Sequence, residues 1–264
     1  MFNASTAWPY PRWIAHRGAG TLAPENTLAA FGLGARYGYR MFECDVKLSA
    51  DGVPFLMHDT TLTRTTNAAQ VLGKNVSTVG GEHAWSVLAQ LDAGAWHSAA
   101  HRAEPLAALE DIARFCLERQ LAVNLEIKPT PGTERHTGEV VARISQHLWQ
   151  GTHPNSAPPP LLSSFEPESL QGARASAPQL PRALLLNDLW TGWQKVAHGL
   201  DLAAFVLRHT LWDEGLVKLA QSAGWRCLSY TANTIEDVHR LKRLGTDGII
   251  TDRVDLFPPD LSPN

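Results

Sequence analysis

Cysteine is scarce in this chain. Cys44, Cys116 and Cys227 are the only three in 264 residues, an odd number at no metal-ligand spacing. That excludes a disulfide framework and a zinc-ribbon type of site. Cys44 and Cys227 lie in apolar, strand-like runs and Cys116 in a helical one, so buried free thiols are expected. Basic blocks are missing too, and with a formal net charge of −3 nothing invites a nucleic acid or an anionic membrane surface. No run approaches the ~18 apolar residues of a membrane span. The opening residues Met1 to Tyr10 have neither a positive start nor an apolar stretch of the secretory kind. The expectation is a soluble cytoplasmic protein with a small-molecule substrate, no nucleic-acid partner and no membrane anchor. Its oligomeric state is left open.

Internal repeats and interdomain linkers are also absent. The length of 264 residues suits one α/β barrel, which commonly needs ~250. A hydrophobic fraction of 44% supplies a sizeable core, and 19% charged residues argue against disorder.

Within Met41 to Asp59 two β-like runs, the second of them Val53 to Met57, are joined by a tight Ala50-Asp51-Gly52 turn. Strand side chains repeat every two residues, so Glu43 and Asp45 point the same way. Folding back at Asp51-Gly52 returns His58 to their level. Two parallel acids beside a histidine are costly to bury without a reason.

Around this hairpin strands and helices alternate. Strands are predicted at Trp13 to Gly18, which ends in polar residues and glycine, Ala122 to Lys128, Leu161 to Phe165, Arg182 to Leu186, Ala203 to Leu207, Cys227 to Tyr230 and Gly248 to Thr251. Helices are predicted at Leu28 to Tyr37 with Asn26 as its cap, Leu106 to Gln120, Gly138 to Trp149, Pro167 to Ala175, Asp188 to His198, Glu214 to Ala223 and Ile235 to Leu244. Gly151 to Pro160 reads as a Pro/Ser-rich loop. With Val53 to Met57 as an antiparallel addition, eight strands remain, which points to an α/β fold, a TIM-like (β/α)8 barrel. An open doubly wound sheet is less favoured because Gly18-Ala19-Gly20 lacks the third spaced glycine of a dinucleotide fingerprint. Residues 60–105 are too long for an ordinary connection and read as a small inserted subdomain within one domain spanning residues 1–264.

In such barrels the active site lies at the C-terminal ends of the strands. Here those ends carry His16-Arg17, Glu43-Cys44-Asp45, Glu126-Ile127-Lys128, Ser163-Ser164-Phe165, Tyr230-Thr231-Ala232-Asn233 and Thr251-Asp252. Glu43, Asp45 and Glu126 would repel one another unless a cation joins them, and Mg²⁺ or Ca²⁺ prefers such oxygen ligands. The competing reading pairs each acid with a lysine or arginine, Lys128 first. His16 and His58 are the candidate acid–base pair, since histidine titrates nearest neutrality. Arg17 and Lys128 suit a phosphoryl group, and Phe165 and Tyr230 an apolar or glycerol-like moiety. His83, His97, His101, His136, His147, His153, His198 and His239 are expected to be solvated or hydrogen-bonded only, and His209 stays open. Cys44, between the acids, should face the outer packing.

The ordered set His16-Arg17-Gly18, Pro24-Glu25-Asn26-Thr27, Glu43-x-Asp45-Val46, Asp51-Gly52, His58-Asp59-x-x-Leu62-x-Arg64-Thr65-Thr66, Leu91-Asp92-Ala93-Gly94, Glu126-x-Lys128 and Gly248-Ile249-Ile250-Thr251-Asp252 resembles the glycerophosphodiester phosphodiesterases, cytoplasmic bacterial type. The likeness runs from about residue 13 to 255. It implies a (β/α)8 barrel with an insertion shaping the alcohol side of the pocket, and hydrolysis of glycerophosphodiesters to sn-glycerol 3-phosphate and a free alcohol. By the resemblance, Glu43, Asp45 and Glu126 bind the divalent ion, His16 and His58 are acid and base, and Arg17 and Lys128 hold the phosphate. One departure stands out: the late strand of the family commonly ends Trp-Thr-x-Asn, and here it is Tyr230-Thr231-Ala232-Asn233. The same polar set would also serve a lysophospholipid phosphodiesterase or a non-catalytic binder of glycerophosphodiesters. Direct attack by water and prior attack by a glycerol hydroxyl are not distinguished by the sequence. His16 as base and His58 as acid is the working assignment.

Overall fold

The computed structural model describes residues 8–73, 75–150 and 157–259. Residues 1–7, His153 and the first six residues of the Pro/Ser-rich loop lie outside the described residues. Eight parallel strands close into a barrel: β1 (Trp13–Ala15), β2 (Met41–Leu48), β4 (Ala122–Ile127), β5 (Leu161–Ser164), β6 (Arg182–Leu186), β7 (Ala204–Arg208), β8 (Arg226–Tyr230) and β9 (Gly248–Thr251). Each pairs with the next, β9 pairs with β1, and Ala15 opposite Phe42 joins β1 to β2 and completes the ring. β3 (Pro54–Leu56) is the antiparallel addition, with Val46 opposite Leu56. Gly52 at φ 82 supplies the left-handed turn between β2 and β3. Ser49 Oγ there accepts from Val53 N–H and donates to Asp51.

Helices α1 (Leu28–Arg36), α4 (Leu109–Glu118), α5 (Glu134–Trp149), α6 (Pro167–Ser176), α7 (Trp193–Gly199), α8 (Glu214–Ser222) and α9 (Ile235–Leu244) cover the outside. Their apolar faces meet the outward strand residues, among them Phe42, Cys44, Leu125 and Phe205. Inward residues Ile14, Met41, Leu161, Leu185, Val206 and Leu228 form a separate plug inside the barrel. All three cysteines are free and buried, and Cys44 packs in the outer layer as expected. Between β3 and α4 lie two short helices, α2 (Ala68–Val71) and α3 (Trp85–Leu88), over a small core built on Phe55, Leu62, Leu88 and Leu91. Asp51 ties this region to the hairpin by accepting from Trp85 N–H.

Three local expectations change. Thr27, not Asn26, caps α1, accepting from Ala30 N–H, while the Asn26 side chain turns to Asp45. The helix read from Asp188 begins only at Trp193, after a turn at Gly192 with φ 91. α5 starts at Glu134, four residues before the expected Gly138. No helix among the described residues is long and apolar enough to cross a membrane.

Candidate active site

The inward face of β2 reads Met41, Glu43, Asp45, Lys47 and that of β4 reads Ala122, Asn124, Glu126, continuing to Lys128. Both are apolar at the bottom and charged at the C-terminal mouth. Register sets Glu43 beside Asn124 and Asp45 beside Glu126. Glu43, Asp45 and Glu126 are buried, at 2%, 1% and 8% exposure, and one carboxylate oxygen from each lies within 4.8 Å of the others. Burial, then the Asp45 charge, pushes the pKa of Glu43 up. The same two causes raise Glu126. Asp45 goes the other way: burial opposes ionisation but is outweighed by Arg17, His58, Lys128 and the Asn26 amide.

Two cations share the mouth. Arg17 Nε is 3.3 Å from Asp45 Oδ2, and its Nη1 donates to Glu25 Oε1 at 2.9 Å. Lys128 Nζ is 3.1 Å from Glu126 Oε1 and 3.8 Å from Asp45 Oδ1. The first of these is an ion pair, and Glu126 Oε1 has no other partner among the described residues. Glu43 Oε2 accepts from Arg17 backbone N–H at 3.1 Å, whereas its Oε1 has no partner among them. The pairing of acids with Arg17 and Lys128 is therefore present but incomplete. Three buried oxygen donors facing one another, Glu43 with one oxygen unpaired and Glu126 with one held only by Lys128, fit a hard divalent cation. The Arg17 backbone adopts φ 50, a conformation unusual for a non-glycine residue, just where its N–H reaches Glu43.

Each histidine has a carboxylate behind it. A carboxylate only accepts, so the facing ring nitrogen carries the proton. His16 Nδ1 donates to Asp252 Oδ1 at 2.5 Å, and its Nε2 lies 3.7 Å from Glu43 Oε2. His58 Nδ1 donates to Asp59 Oδ1 at 2.8 Å. Burial lowers the pKa of His16, but the Asp252 hydrogen bond and Glu43 outweigh it and the net shift is upward. His58 is shifted down, chiefly by burial, with Asp45 opposing and Arg17 and Lys128 adding.

Two adjoining cavities open here. A chamber of about 170 Å³ is lined by His16, Arg17, Glu43, Asn124 and Tyr230, and a groove of about 300 Å³ by Lys47, Asp59, Ser164 and Glu166. His58, Glu126, Lys128 and Phe165 border both. Phe165 and Tyr230 meet edge to face at 5.7 Å, and Lys128 Nζ stands 5.9 Å from the Phe165 ring centre. The structure thus gathers all nine residues singled out in the sequence. His209, left open there, pairs with Asp237 at 3.1 Å, away from the cavities.

Lys47 escapes the sequence reading, and the motif residues Glu25, Asn26, Asp59, Arg64, Asn233 and Asp252 carry no site role in it. Lys47 continues the two-residue period of Glu43 and Asp45, a signal that was available. Asn26 joins Asp45 twice, its amide donating to Oδ2 at 2.8 Å and its oxygen accepting from Asp45 N–H at 3.1 Å. Asp252 is held by Asn233 Nδ2 at 2.8 Å. Glu25, Asp59 and Arg64 are joined in one network, Arg64 donating to both acids. These pairings span up to 39 residues for Arg64–Glu25 and 236 for His16–Asp252, beyond the reach of local patterns.

The model of the Glycerophosphoryl diester phosphodiesterase family matches residues 16–256. The chain is 30% identical to an Oleispira antarctica phosphodiesterase solved in complex with the product sn-glycerol-3-phosphate, with TM-score 0.81 over 96% of this chain and 95% of that one. A glycerophosphodiester phosphodiesterase structure from Agrobacterium tumefaciens is 27% identical, with TM-score 0.76 over 94% and 99% of the two chains. The glycerophosphodiester phosphodiesterase of Caldanaerobacter subterraneus is 29% identical over 246 residues, 90% of this chain and 93% of its own.

Proposed function

The chain belongs to the glycerophosphoryl diester phosphodiesterase family, and on that premise we propose that it hydrolyses glycerophosphodiesters with a divalent metal and two histidines. That it is a phosphodiesterase of this class rests on the family; the metal and the histidine roles are our reading. One observation carries that reading. Three buried carboxylates, Glu43 among them with one oxygen unmatched, share a mouth with two histidines, each backed by an aspartate. Residues 60–105 act in this reading as an insertion within one barrel domain, bounding the alcohol side.

Glu43, Asp45 and Glu126 would hold Mg²⁺ or Ca²⁺, which would supply positive charge against the phosphoryl group. Arg17 and Lys128 hold the phosphoryl group by charge-assisted hydrogen bonds. His16 Nε2 takes the proton of the attacking hydroxyl as its oxygen bonds to phosphorus. His58 Nε2 gives a proton to the alcohol oxygen as the phosphorus–oxygen bond to it breaks. Position supports this order: His16 borders the inner chamber but not the wider groove, while His58 stands between the two. Substrate also adjusts the charges. The Glu43 charge that helps hold His16 protonated is the one a bound cation shares. An anionic phosphodiester on Arg17 and Lys128 cancels two of the charges that lower His58.

Phe165 and Tyr230 form a wall for the glycerol moiety. Choline or ethanolamine is the expected leaving alcohol, and a lysophospholipid is the second reading of the same site.

Purified protein assayed with glycerophosphocholine should release glycerol 3-phosphate, lose that activity with a chelator and regain it with Mg²⁺ or Ca²⁺. Turnover that ignores the chelator rejects the metal. His16→Ala and His58→Ala should each lower the rate by roughly 10²–10⁴-fold. A change of only a few-fold removes that residue from the reaction.

A further inference from the structure

The structure assigns Arg64 a positioning role in catalysis: from the inserted region it holds the carboxylate behind His58 and the carboxylate behind Arg17 at once. The inference rests on the proposed function and deepens it.

Arg64 lies six residues past His58, at the edge of the mouth, with its side chain 43% exposed. Its Nε donates to Asp59 Oδ2 at 2.6 Å and its Nη2 to Asp59 Oδ1 at 3.0 Å. The other edge of the same guanidinium donates to Glu25, from Nη1 to Oε2 at 2.8 Å and from Nη2 to Oε1 at 2.8 Å. Two carboxylates are thus gripped in bidentate fashion by one planar fork, a geometry that lysine lacks. Arg64 reaches neither cavity lining. It acts through what it holds.

On one side, Asp59 Oδ1 also accepts from His58 Nδ1 at 2.8 Å. With Arg64 holding both oxygens of Asp59, the carboxylate plane is fixed, and with it the direction of His58 Nε2. On the other side, Glu25 Oε1 accepts from Arg17 Nη1 at 2.9 Å, and Arg17 Nε rests on Asp45 Oδ2 at 3.3 Å. The chain His58–Asp59–Arg64–Glu25–Arg17 therefore joins the proton donor to the phosphate-binding cation. A wandering histidine ring delivers its proton late, and a residue held to within about half an ångström does not.

Proton delivery matters in proportion to how badly the leaving group needs it. Choline and ethanolamine depart poorly as alkoxides. p-Nitrophenolate departs as a stable anion without a proton.

The experiment compares wild type, Arg64→Gln, Arg64→Lys and His58→Ala on glycerophosphocholine and on glycerophospho-p-nitrophenol, at saturating metal, with folding checked by circular dichroism. Arg64→Gln should lose roughly 10–100-fold in kcat on glycerophosphocholine, the usual scale for partners that orient a site residue. On the nitrophenyl ester, which needs no proton, only the Glu25–Arg17 arm is felt, and the loss should stay within about five-fold. Arg64→Lys keeps the charge, should fold even if the glutamine variant does not, and should show the same leaving-group contrast in milder form. Equal losses on both substrates in the folded variants, with His58→Ala still discriminating between them, overturn the role of Arg64. If His58→Ala itself fails to discriminate, His58 is not the acid, and the inference falls with that reading.

Discussion

Asp252, from the end of β9, accepts a 2.5 Å hydrogen bond from His16 Nδ1 at the end of β1, two strands that are neighbours only because the barrel closes. The contact fixes the tautomer of His16 and turns Nε2 toward Glu43 and the inner chamber. Asp252→Asn keeps the shape but removes the charge that steadies the imidazolium. Steady-state kinetics on glycerophosphocholine should give a kcat lower by about 10–100-fold, with KM within a few-fold of wild type. A variant whose KM rises while kcat holds would place Asp252 in substrate binding instead.

The carboxylate trio sets function against stability. Glu43 is buried beside Asp45 with one oxygen unmatched, and its pKa is raised by burial and by that neighbour. Glu43→Gln removes a repelling charge from this place while keeping the shape. With chelator present and near neutral pH, the variant should melt higher than wild type, by roughly 2–4 °C for each ~1 kcal/mol relieved. Its phosphodiesterase activity should be lost, and added Mg²⁺ or Ca²⁺ should no longer raise its Tm. Differential scanning fluorimetry with and without metal checks both halves. A variant that melts lower than wild type in chelator would mean that the trio is not strained when metal-free.

The Arg64 network makes its own prediction about acid stability. Hydrogen bonds from Arg64 hold Asp59 well below the usual carboxylate range. Glu25 is also lowered: burial opposes ionisation, but Arg64 and Arg17 outweigh it. A depressed folded-state pKa contributes stability that is fully present above the unfolded carboxylate values, ~3.9 and ~4.3, and is lost as pH falls through the folded values. Wild type should therefore lose Tm more steeply than Arg64→Gln below about pH 4, and the two slopes should match above about pH 6. Calorimetry across that range decides it. Parallel curves throughout would leave the network without a stabilising role.

How much of this could be read from residues alone depended on the range of the pattern. Glu43, Asp45 and Glu126 were legible because period two within a strand puts alternate side chains on one face, and strand ends mark the mouth of a barrel. Lys47, between Val46 and Leu48, obeys the same period and extends the charged face by one step beyond the acids. Asn26 was misplaced for a different reason. Its residue type suits a helix cap, but Thr27 takes that place and Asn26, at φ 60, turns its amide to Asp45. Which partner an asparagine chooses depends on β2, brought close only by the fold. The same holds for Asp252 and Arg64: strand order and the insertion bring them to the histidine and the acids, and no local spacing encodes that.

Outside the site, the barrel depends on a close approach that composition hides. Gly138 on α5 faces α6, where a methyl added at its Cα would lie 1.9 Å from the Ser169 carbonyl oxygen. Gly172 returns the relation, its added methyl falling 2.1 Å from the Arg135 carbonyl oxygen. The two helices thus cross backbone to backbone, and Ser169 Oγ donates to the Glu134 carbonyl at 3.0 Å across the contact. Carbonyl oxygens on helices cannot yield as a flexible side chain would, so Gly138→Ala must push α5 away from α6. The gain in helix propensity, up to ~1 kcal/mol, works against this but is smaller than the ~1–3 kcal/mol of overpacking. Urea denaturation should find Gly138→Ala destabilised by about 1–2 kcal/mol net. Gly199→Ala, at the end of α7 with open space around the added methyl, should stay within about 0.5 kcal/mol of wild type. If the two alanine variants unfold at the same denaturant concentration, the helices in solution stand further apart than the crossing at Gly138 requires.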